Sequence, residues 1–327
     1  MPSRRDWIRT TVGTGAAVAL SPGLLRALGA SRLQQGTLHR KAIPSTGEML
    51  PVIGLGSSAT FASVARSEEV AALKEVFRAM ADRGATLFDT APSYGASEQV
   101  AGRIVNELGL AGHFFWATKL NAAARGSGGK ADRAAAVAQV ERSFEILKRP
   151  KIDLIQVHNL SDVPTHLAVL QEVKKAGRLR YLGVTTTSEG QYGELVQWMR
   201  NEPLDFIGID YAADNREVEQ AILPLAQERK IGVLVYAPFG RTSLFRRVGD
   251  RPVPDWAAEF DATTWAQVFL KFVVSHPAVT AATPATSQAR HMLDNIGGGT
   301  GRLPNEAQRK RIAEFVDALP PPPPRSR

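Results

Sequence analysis

Short runs of β-branched and aromatic residues alternate with longer amphipathic stretches along most of this chain. Eight of the short runs predict strands. The segments between them carry apolar residues at three- and four-residue spacing, the pattern of amphipathic helices. The predicted strands are VIGLG (52–56), TLFDT (86–90), FFWATK (114–119), DLIQVH (153–158), RYLGVT (180–185), DFIGID (205–210), GVLVYA (232–237) and AVTAAT (278–283).

Three of the intervening segments show the helical pattern most clearly. EEVAALKEVFRAMADRG (68–84) has apolar residues spaced for one helix face and ends in glycine, a common helix terminator. ADRAAAVAQVERSFEILKR (131–149) and REVEQAILPLAQERK (216–230) have the same pattern, with Pro224 expected to kink the second. Strand and helix are therefore predicted to alternate through most of the chain.

Repeated strand–helix units favour the α/β class and a single-domain (β/α)8 TIM barrel with a C-terminal helix. TLHRKAIPSTGEMLP (37–51) predicts a small N-terminal hairpin that would plug the bottom of the barrel. The alternative is an open doubly wound sheet, but GLGSSA after the first strand lacks the third glycine of the dinucleotide-binding fingerprint. The stretch 241–262 predicts a loop insertion over the site.

The two ends of the chain predict segments outside the barrel. Residues 1–30 contain Arg4 and Arg5, then Trp7, then a weakly apolar stretch too short to span a bilayer, the order of a Tat-type signal. PPPPPRSR (320–327) predicts an extended proline-rich tail. The expected division is a signal segment at 1–30, the barrel at 31–319 and the tail at 320–327. It predicts export by the Tat machinery to the periplasm or another extracytoplasmic compartment, with no stable membrane span unless the signal is uncleaved.

Composition narrows the possible classes. The chain has 327 residues, of which 44% are hydrophobic and 22% charged, which excludes wholesale disorder and a multi-span membrane protein. Without the four basic residues and one acidic residue of 1–30, the net charge falls from +8 to +5. The chain contains no run of clustered Lys and Arg with interleaved aromatics, so nucleic-acid binding is not predicted. Cysteine is absent and the six histidines are scattered, so no metal site is predicted.

Polar residues follow three successive predicted strands. Asp89 ends the second strand, with Tyr94 five residues later, Lys119 ends the third, and His158 ends the fourth. Strand ends of a (β/α)8 barrel meet at one mouth, where the active site lies. A Lys ammonium beside a Tyr is expected to lower the tyrosine pKa, and a carboxylate would hold the Lys in place. A neutral His can orient a substrate carbonyl, so the group suits protonation of an alkoxide as hydride arrives.

These residues lie in strings that resemble the aldo/keto reductase superfamily. The matching strings are GLGSS, LFDTAPSYGASE, ATK, DLIQVHN, RLRYLGVTTTS, DFIGIDY, LVYAPFG and TPATSQARHMLDN, between about residues 45 and 298. The resemblance is to the branch with twin-arginine signals. It implies a (β/α)8 barrel, a nicotinamide cofactor (NADP, with NAD possible) and a catalytic tetrad of Asp89, Tyr94, Lys119 and His158, with Tyr94 as general acid.

The same resemblance implies a set of cofactor contacts. Ser57 and Ser58 fall at the nicotinamide ribose, and Tyr236, in a segment that also contains Phe239, matches the tyrosine that stacks on nicotinamide. Thr185 and Thr186 replace the usual Ser-Asn pair that holds the carboxamide, and Gly208 replaces an expected Gln. The positions near the last strand are Thr286 at a phosphate, Asp294 and Asn295 at adenine, and Arg290 and His291, beside Ala285, where the 2′-phosphate of NADPH would bind.

Two functional hypotheses follow. The first is an NAD(P)H-dependent oxidoreductase that reduces an aldehyde or ketone to an alcohol, or catalyses the reverse reaction, on a small-molecule carbonyl substrate. The second is a non-catalytic nicotinamide-binding sensor or partner subunit on the same fold. The substrate pocket is expected around Phe61, Trp256 and the 240–260 insertion, with an apolar and aromatic lining.

Overall fold

The chain enters the barrel through a two-stranded antiparallel hairpin. The computed structural model describes residues 36–67, 70–122 and 129–321, and within them the hairpin strands are β1 (Arg40–Ala42) and β2 (Met49–Pro51). Arg40 pairs with Pro51 and Ala42 with Met49. The hairpin predicted over 37–51 is therefore present, and it lies just before the first barrel strand.

Eight parallel strands follow, each paired with the next along the chain. Isolated parallel bridges from Ile53 to Ala282 and from Gly56 to Ala285 join the last strand region to the first, so the sheet closes on itself. The predicted (β/α)8 barrel is confirmed. The strands are β3 (Leu55–Gly56), β4 (Leu87–Asp89), β5 (Phe115–Leu120), β6 (Ile152–Val157), β7 (Leu179–Thr186), β8 (Phe206–Asp210), β9 (Gly232–Tyr236) and β10 (Ala281–Ala282).

Helices connect these strands on the outside of the barrel. Helix 133–147 begins at Asp132, whose carboxylate accepts from the backbone N–H groups of Ala134 and Ala135. The described α-helices are Thr60–Ala65, Val70–Asp82, Ser97–Glu107, Arg133–Leu147, Val163–Lys175, Tyr192–Asn201, Ile222–Glu228, Ser243–Val248, Trp265–Val274, Ala289–Gly297 and the expected C-terminal helix Glu306–Asp317. No helix in these described ranges is both long and apolar enough to cross a bilayer.

Three predicted elements keep less than half of their predicted length. The first and last barrel strands contain two residues each, Leu55–Gly56 and Ala281–Ala282. The helix predicted over 216–230 is divided into a 3-10 turn at Glu217–Glu219 and a helix at Ile222–Glu228. Pro224 therefore lies in the first helical turn, where its missing N–H costs no intrahelical bond.

Apolar side chains fill the bottom of the barrel lumen. Ile43 and Leu50 of the hairpin are at most 2% exposed. They pack with a layer of inward-facing strand residues, Leu87, Phe115, Ala117, Leu154, Tyr181, Phe206, Leu234 and Ala281. Burial of a large apolar side chain contributes about 1.5–3 kcal/mol, so the hairpin closes this end by hydrophobic packing.

Outward-facing strand residues form the second core, against the helices. Phe88 of β4 contacts Phe61 and Phe77 with ring centroids 5.5 Å and 5.2 Å away, and it meets Trp116 of β5 edge-on. Since side chains alternate along a strand, Leu87 and Asp89 point to the opposite side, into the lumen. The compact unit that begins at Thr37 contains all of these elements. The expected signal at 1–30 and residues 322–327 of the tail lie outside the described residues.

Candidate active site

A buried ion pair lies at the mouth of the barrel. Lys119 Nζ donates to Asp89 Oδ2 at 2.6 Å and to the Thr90 carbonyl at 2.9 Å. Asp89 is the last residue of β4, and Lys119 is the next-to-last residue of the neighbouring strand β5. Both residues are 2% exposed. The strand ends therefore bring a carboxylate and an ammonium together out of water, as predicted from their positions in the sequence.

Tyr94 and His158 lie beside this pair. The Lys119 ammonium is 5.0 Å from the centre of the Tyr94 ring, and the Tyr94 and His158 rings meet edge-to-face with centroids 5.8 Å apart. Tyr94 lies in the turn after β4, and His158 directly follows β6. The structure thus brings all four residues predicted as the tetrad into one cluster.

Burial sets the protonation of the two aromatic members. It raises the pKa of Tyr94, and Lys119 only partly opposes this increase. Lys119 lowers the pKa of Tyr94, as expected from the sequence, but removal of the phenol from water outweighs the nearby cation and the net shift is upward. Burial, then the charge of Lys119, lowers the pKa of His158 to about 4, so the imidazole is neutral at pH 7.

Asp89 and Tyr94 favour the ammonium form of Lys119. Burial alone would lower the pKa of Lys119, but the Asp89 carboxylate and Tyr94 outweigh it, and the pKa is raised. Burial raises the pKa of Asp89, while Lys119 and Tyr236 oppose that shift. An ammonium held this way can stabilise negative charge that develops on the Tyr94 oxygen.

The ring of Tyr236 occupies the lumen just below the mouth. Its Oη lies 2.8 Å from Gln156 Oε1 and 3.3 Å from Asp89 Oδ1, and its one proton can be donated to either oxygen. Lys119 Nζ is 4.9 Å from the ring centre, close to its distance from the ring of Tyr94. The ammonium is thus near two phenol rings. Sequence reasoning expected Tyr236 only as a surface for nicotinamide, and it did not single out Gln156.

Comparison with known proteins places this arrangement in a family. The model of the Aldo/keto reductase family matches residues 52–316. The chain belongs to the aldo/keto reductase family. Aldo/keto reductases are oxidoreductases that act on carbonyl groups.

Individual aldo/keto reductases resemble the chain over most of its length. Aldo-keto reductase YhdN of Bacillus subtilis is 33% identical over 211 residues, 61% of this chain and 62% of that protein. The methylglyoxal reductase YeaE of Escherichia coli is 28% identical over 265 residues, 79% of this chain and 89% of that protein.

Solved structures support the same fold. An aldo-keto reductase of Klebsiella pneumoniae in complex with NADPH superposes with a TM-score of 0.67 at 22% identity, covering 89% of this chain and 97% of that one. The holo form of AKR11C1 from Bacillus halodurans gives a TM-score of 0.66 at 20% identity, covering 85% and 96%. At these identities the likeness establishes the barrel.

The predicted cofactor contacts in the barrel strands differ in availability. Ser57 is fully buried at the end of β3, and its Oγ has no hydrogen-bond partner among the described residues, which leaves it free for a ligand hydroxyl. Ser58 is exposed. Thr185 Oγ1 accepts from the Asn159 N–H at 3.0 Å, and Thr186 Oγ1 donates to Gln191 at 2.6 Å. Both threonine hydroxyls therefore already hold protein loops near His158.

The second predicted group lies around helix 289–297. Thr286 Oγ1 accepts from the Gln288 N–H just before this helix, and the Arg290 guanidinium is exposed and bonds the Gln288 side chain. His291 is also exposed, while Asn295 is 4% exposed. Asp294 accepts from Thr264 and Gln267 at 2.8–3.1 Å. This aldo/keto reductase thus has a cationic side chain in a solvent-facing position beside a helix start, which suits an anionic cofactor group.

The expected substrate pocket is confirmed in one part only: the 240–260 insertion lines a cavity through Gly240, Arg241 and Ser243, whereas the two aromatics lie elsewhere. Phe61 is fully buried against Phe77 and Phe88, on the helix side of the barrel. Trp256 packs on Phe260 and on Phe315 of the C-terminal helix. Both side chains therefore pack against other aromatic rings of the structure and do not line a pocket. Phe239 lies after β9 and packs on Phe245 with centroids 4.8 Å apart.

Two cavities open near the mouth. A cavity of about 130 Å³ lies beside the catalytic cluster, lined by the polar and small residues Pro92, Ser93, Asn121, Gln139 and His158. A second cavity, of about 260 Å³, lies at the ends of β8 and β9. It contains the buried Asp210, whose Oδ2 bonds Arg241 at 2.6 Å and whose Oδ1 has no partner among the described residues.

One histidine that the sequence did not distinguish connects two loops of the site. His166 is fully buried, its Nε2 accepts from the Ala122 N–H at 3.1 Å, and its Nδ1 bonds the Ser161 carbonyl. Ala122 is three residues beyond Lys119, and Ser161 is three beyond His158. The imidazole therefore fixes the loops that follow both residues. No signal in the sequence pointed to this role, because it depends on two loops that the fold brings together.

Proposed function

We propose that the protein reduces an aldehyde or ketone to an alcohol with a nicotinamide cofactor, or catalyses the reverse reaction, with Tyr94 as the general acid. One observation carries the proposal: a phenol lies against a buried Asp89–Lys119 ion pair and a neutral His158 at the barrel mouth. A bound nicotinamide supplies the hydride. The remaining chemistry is assigned to side chains of this chain.

Tyr94 delivers the proton. Its raised pKa keeps the phenol protonated at neutral pH, so it can donate to the carbonyl oxygen as that oxygen gains charge. Lys119, fixed by Asp89, stabilises the resulting tyrosinate by charge attraction. A neutral His158 donates a hydrogen bond to the same oxygen and orients it, and the 130 Å³ cavity beside it accommodates the reacting carbonyl.

NADP is the proposed cofactor, and NAD is the second candidate. The solved Klebsiella pneumoniae relative binds NADPH, and Arg290 offers an exposed cation for a 2′-phosphate. Ser57, with its unpartnered Oγ, would hold a ribose hydroxyl, and Tyr236 would lie under the nicotinamide. An Arg290→Ala variant is expected to weaken NADPH binding while leaving NADH binding unchanged. Equal loss for both cofactors would assign Arg290 to a group that they share.

The activity test uses the purified protein with NADPH and a panel of aldehydes and ketones, followed by loss of NADPH absorbance. Tyr94→Phe is expected to lower kcat about 10²–10⁴-fold while it retains cofactor binding, because only the proton donor is removed. Tyr181→Phe is the matched control, since it removes a phenol from the bottom of the same lumen. Tight NADPH binding by the wild-type protein with no turnover would favour the non-catalytic sensor or partner subunit.

Export through the Tat machinery is proposed on the sequence SRRDWIR alone. Replacement of Arg4 and Arg5 by Lys is expected to retain the folded protein in the cytoplasm, while the wild-type protein reaches the periplasm or the medium. Replacement of Arg26 by Lys is the control, because it keeps the twin arginine intact. Equal export of the two variants would contradict the proposal.

A further inference from the structure

The position of Tyr236 assigns it more than a surface for cofactor. Its phenol oxygen lies 3.3 Å from Asp89 Oδ1 and 2.8 Å from Gln156 Oε1, at the centre of the lumen. The other Asp89 oxygen, Oδ2, receives Lys119. The carboxylate therefore has one neighbour for each oxygen, an ammonium on one side and a phenol on the other.

Gly208 makes this position possible. A Cβ at residue 208 would lie 2.5 Å from Tyr236 Cε2 and 2.6 Å from its Oη, closer than atoms can approach. The backbone of Gly208 is ordinary strand, paired with Thr185 on one side and Leu234 on the other, so no unusual φ explains the glycine. What the position requires is the absent side chain. Gly208, which seemed from the sequence to remove a cofactor anchor, leaves space that the tyrosine ring fills.

Asp89 needs this contact. The residue is 2% exposed, and no other hydrogen bond to Oδ1 is present among the described residues. A buried carboxylate oxygen without a donor carries the cost of lost hydration. The single phenol proton can go to either neighbour, and the charged Asp89 is the stronger acceptor. Tyr236 thus completes the coordination of the carboxylate that holds Lys119 near Tyr94.

We propose that Tyr236 is a positioning residue of the proton-donating site, admitted into the lumen by Gly208, and that it acts through Asp89 and Lys119 on Tyr94. The inference rests on the proposed function and adds a residue to it. Loss of the phenol oxygen would loosen Asp89, and Lys119 would then stabilise the tyrosinate less well. A ring that served only as a surface for nicotinamide would not need its hydroxyl.

Tyr236→Phe is the decisive variant, because it keeps the ring and removes the hydroxyl. We expect kcat to fall about tenfold, with the KM for NADPH within twofold of wild type, on the scale of one hydrogen bond to a charged group. The groups that face Asp89 are Lys119, Tyr94 and Tyr236. Since a hydrogen bond to a carboxylate lowers its pKa, the acid limb of the kcat profile should move up by about one pH unit.

Two further variants separate a positioning role from a structural one. Gly208→Ala should reproduce the acid-limb shift, because the added methyl group displaces the ring. Tyr236→Phe combined with Asp89→Asn should be no slower than Asp89→Asn alone, since both changes act on one path. Tyr181→Phe, which removes a phenol from the bottom of the lumen, should leave kcat and the pH profile unchanged.

Carbon-13 NMR of the Asp89 carboxyl, assigned with Asp89→Asn, gives a readout independent of turnover. Its titration midpoint should be higher in Tyr236→Phe than in the wild type. An unshifted midpoint, or a shifted midpoint with unchanged kcat, would overturn the inference. So would an effect of Tyr236→Phe on NADPH affinity alone. A wild-type protein that reduces no carbonyl would instead refute the proposed function, and the titration would still report whether Tyr236 holds Asp89.

Discussion

The two ends of the barrel lumen are built from the same strands but have opposite chemistry. At the bottom, Leu87 of β4 and Phe115 of β5 pack with the hairpin residues Ile43 and Leu50. At the mouth, Asp89 lies two residues beyond Leu87 on the same strand, in a buried ion pair. Two neighbouring lumen-facing positions on one strand therefore differ completely: the first packs against apolar side chains and the second forms the buried ion pair.

This contrast indicates where the stability of the fold originates. Apolar packing at the bottom stabilises the barrel directly, at about 25 cal/mol per Å² of apolar area buried. A buried ion pair is weak evidence for stability, because desolvation of two charges offsets their attraction. Changes at the bottom should therefore affect unfolding more than turnover, and changes at the mouth should affect both.

The largest effect is expected at the ion pair. Lys119→Met leaves Asp89 buried without its cation, which should lower the free energy of unfolding by about 3–5 kcal/mol. Activity should also be lost, because nothing then stabilises the tyrosinate. Denaturant titration and NADPH oxidation measure the two effects. Adding Asp89→Asn to Lys119→Met should recover part of the stability and none of the activity; no recovery would mean that the lost packing of the lysine stem dominates.

A slightly smaller effect is expected at the bottom, and on stability alone. Leu50→Ala removes a fully buried side chain from the hairpin plug and should cost about 2–5 kcal/mol. At a temperature where the variant remains folded, its kcat/KM should equal that of the wild type. A large fall in kcat/KM would show that the plug and the mouth are coupled, and the comparison between the two ends would then fail.

Acid stability tests one histidine at each end. Burial is the main cause that lowers the pKa of both His158 and His276 to about 4, and nearby positive charges add to it. Between pH 6.5 and about 4, both imidazoles stay neutral in the folded protein, whereas in the unfolded chain they are protonated. The unfolded state therefore binds more protons, and the free energy of unfolding decreases as pH falls from about 6.5 to about 4. After allowance for their partial exposure, each should contribute about 1 kcal/mol of this loss between pH 7 and pH 5.

The variants His158→Asn and His276→Asn separate the two ends. Both should flatten the pH dependence of the unfolding free energy, measured by denaturant titration at several pH values. Only His158→Asn should lose activity, since His276 lies before β10 at the bottom, where its Nδ1 accepts from the Ala278 N–H. Loss of activity in both variants would show that the reaction at the mouth also depends on the bottom of the barrel.

The smallest effect is expected at the charged rim of the bottom. Glu48 bonds Arg180, and both side chains are about one-third exposed (34% and 33%). Glu48→Gln should change the unfolding free energy by about 1 kcal/mol or less, because water and salt screen the partly exposed ion pair and the Gln oxygen can still accept from the Tyr181 hydroxyl. The difference should shrink further in high salt. A cost of several kcal/mol would mean that the hairpin is held by this contact and not by Ile43 and Leu50.

The sequence predicted most of the architecture because its signals are local. Short runs of β-branched and aromatic residues between helical segments located all eight barrel strands, and the strand ends located Asp89, Lys119 and His158. The errors lie where packing partners are distant in sequence. Phe61 resembled a pocket residue, yet it contacts Phe77 and Phe88 in the core. The helix predicted over 216–230 is a different case, because the local signal of Pro224 was recognised and only the place of the interruption was not.

The sequence by itself determined in what order strands and helices follow and which polar residues end the strands. Only the tertiary structure decided what those residues do there. Tyr236 and Asp89 are 147 residues apart, and their contact exists because Gly208, on the strand next to Tyr236, leaves room for the ring. The pKa of Tyr94 likewise depends on burial by several chain segments, which outweighs Lys119. The residue pattern of a strand or helix is a property of one chain segment. The room around a side chain and its dielectric environment depend on the segments that the assembled barrel brings together.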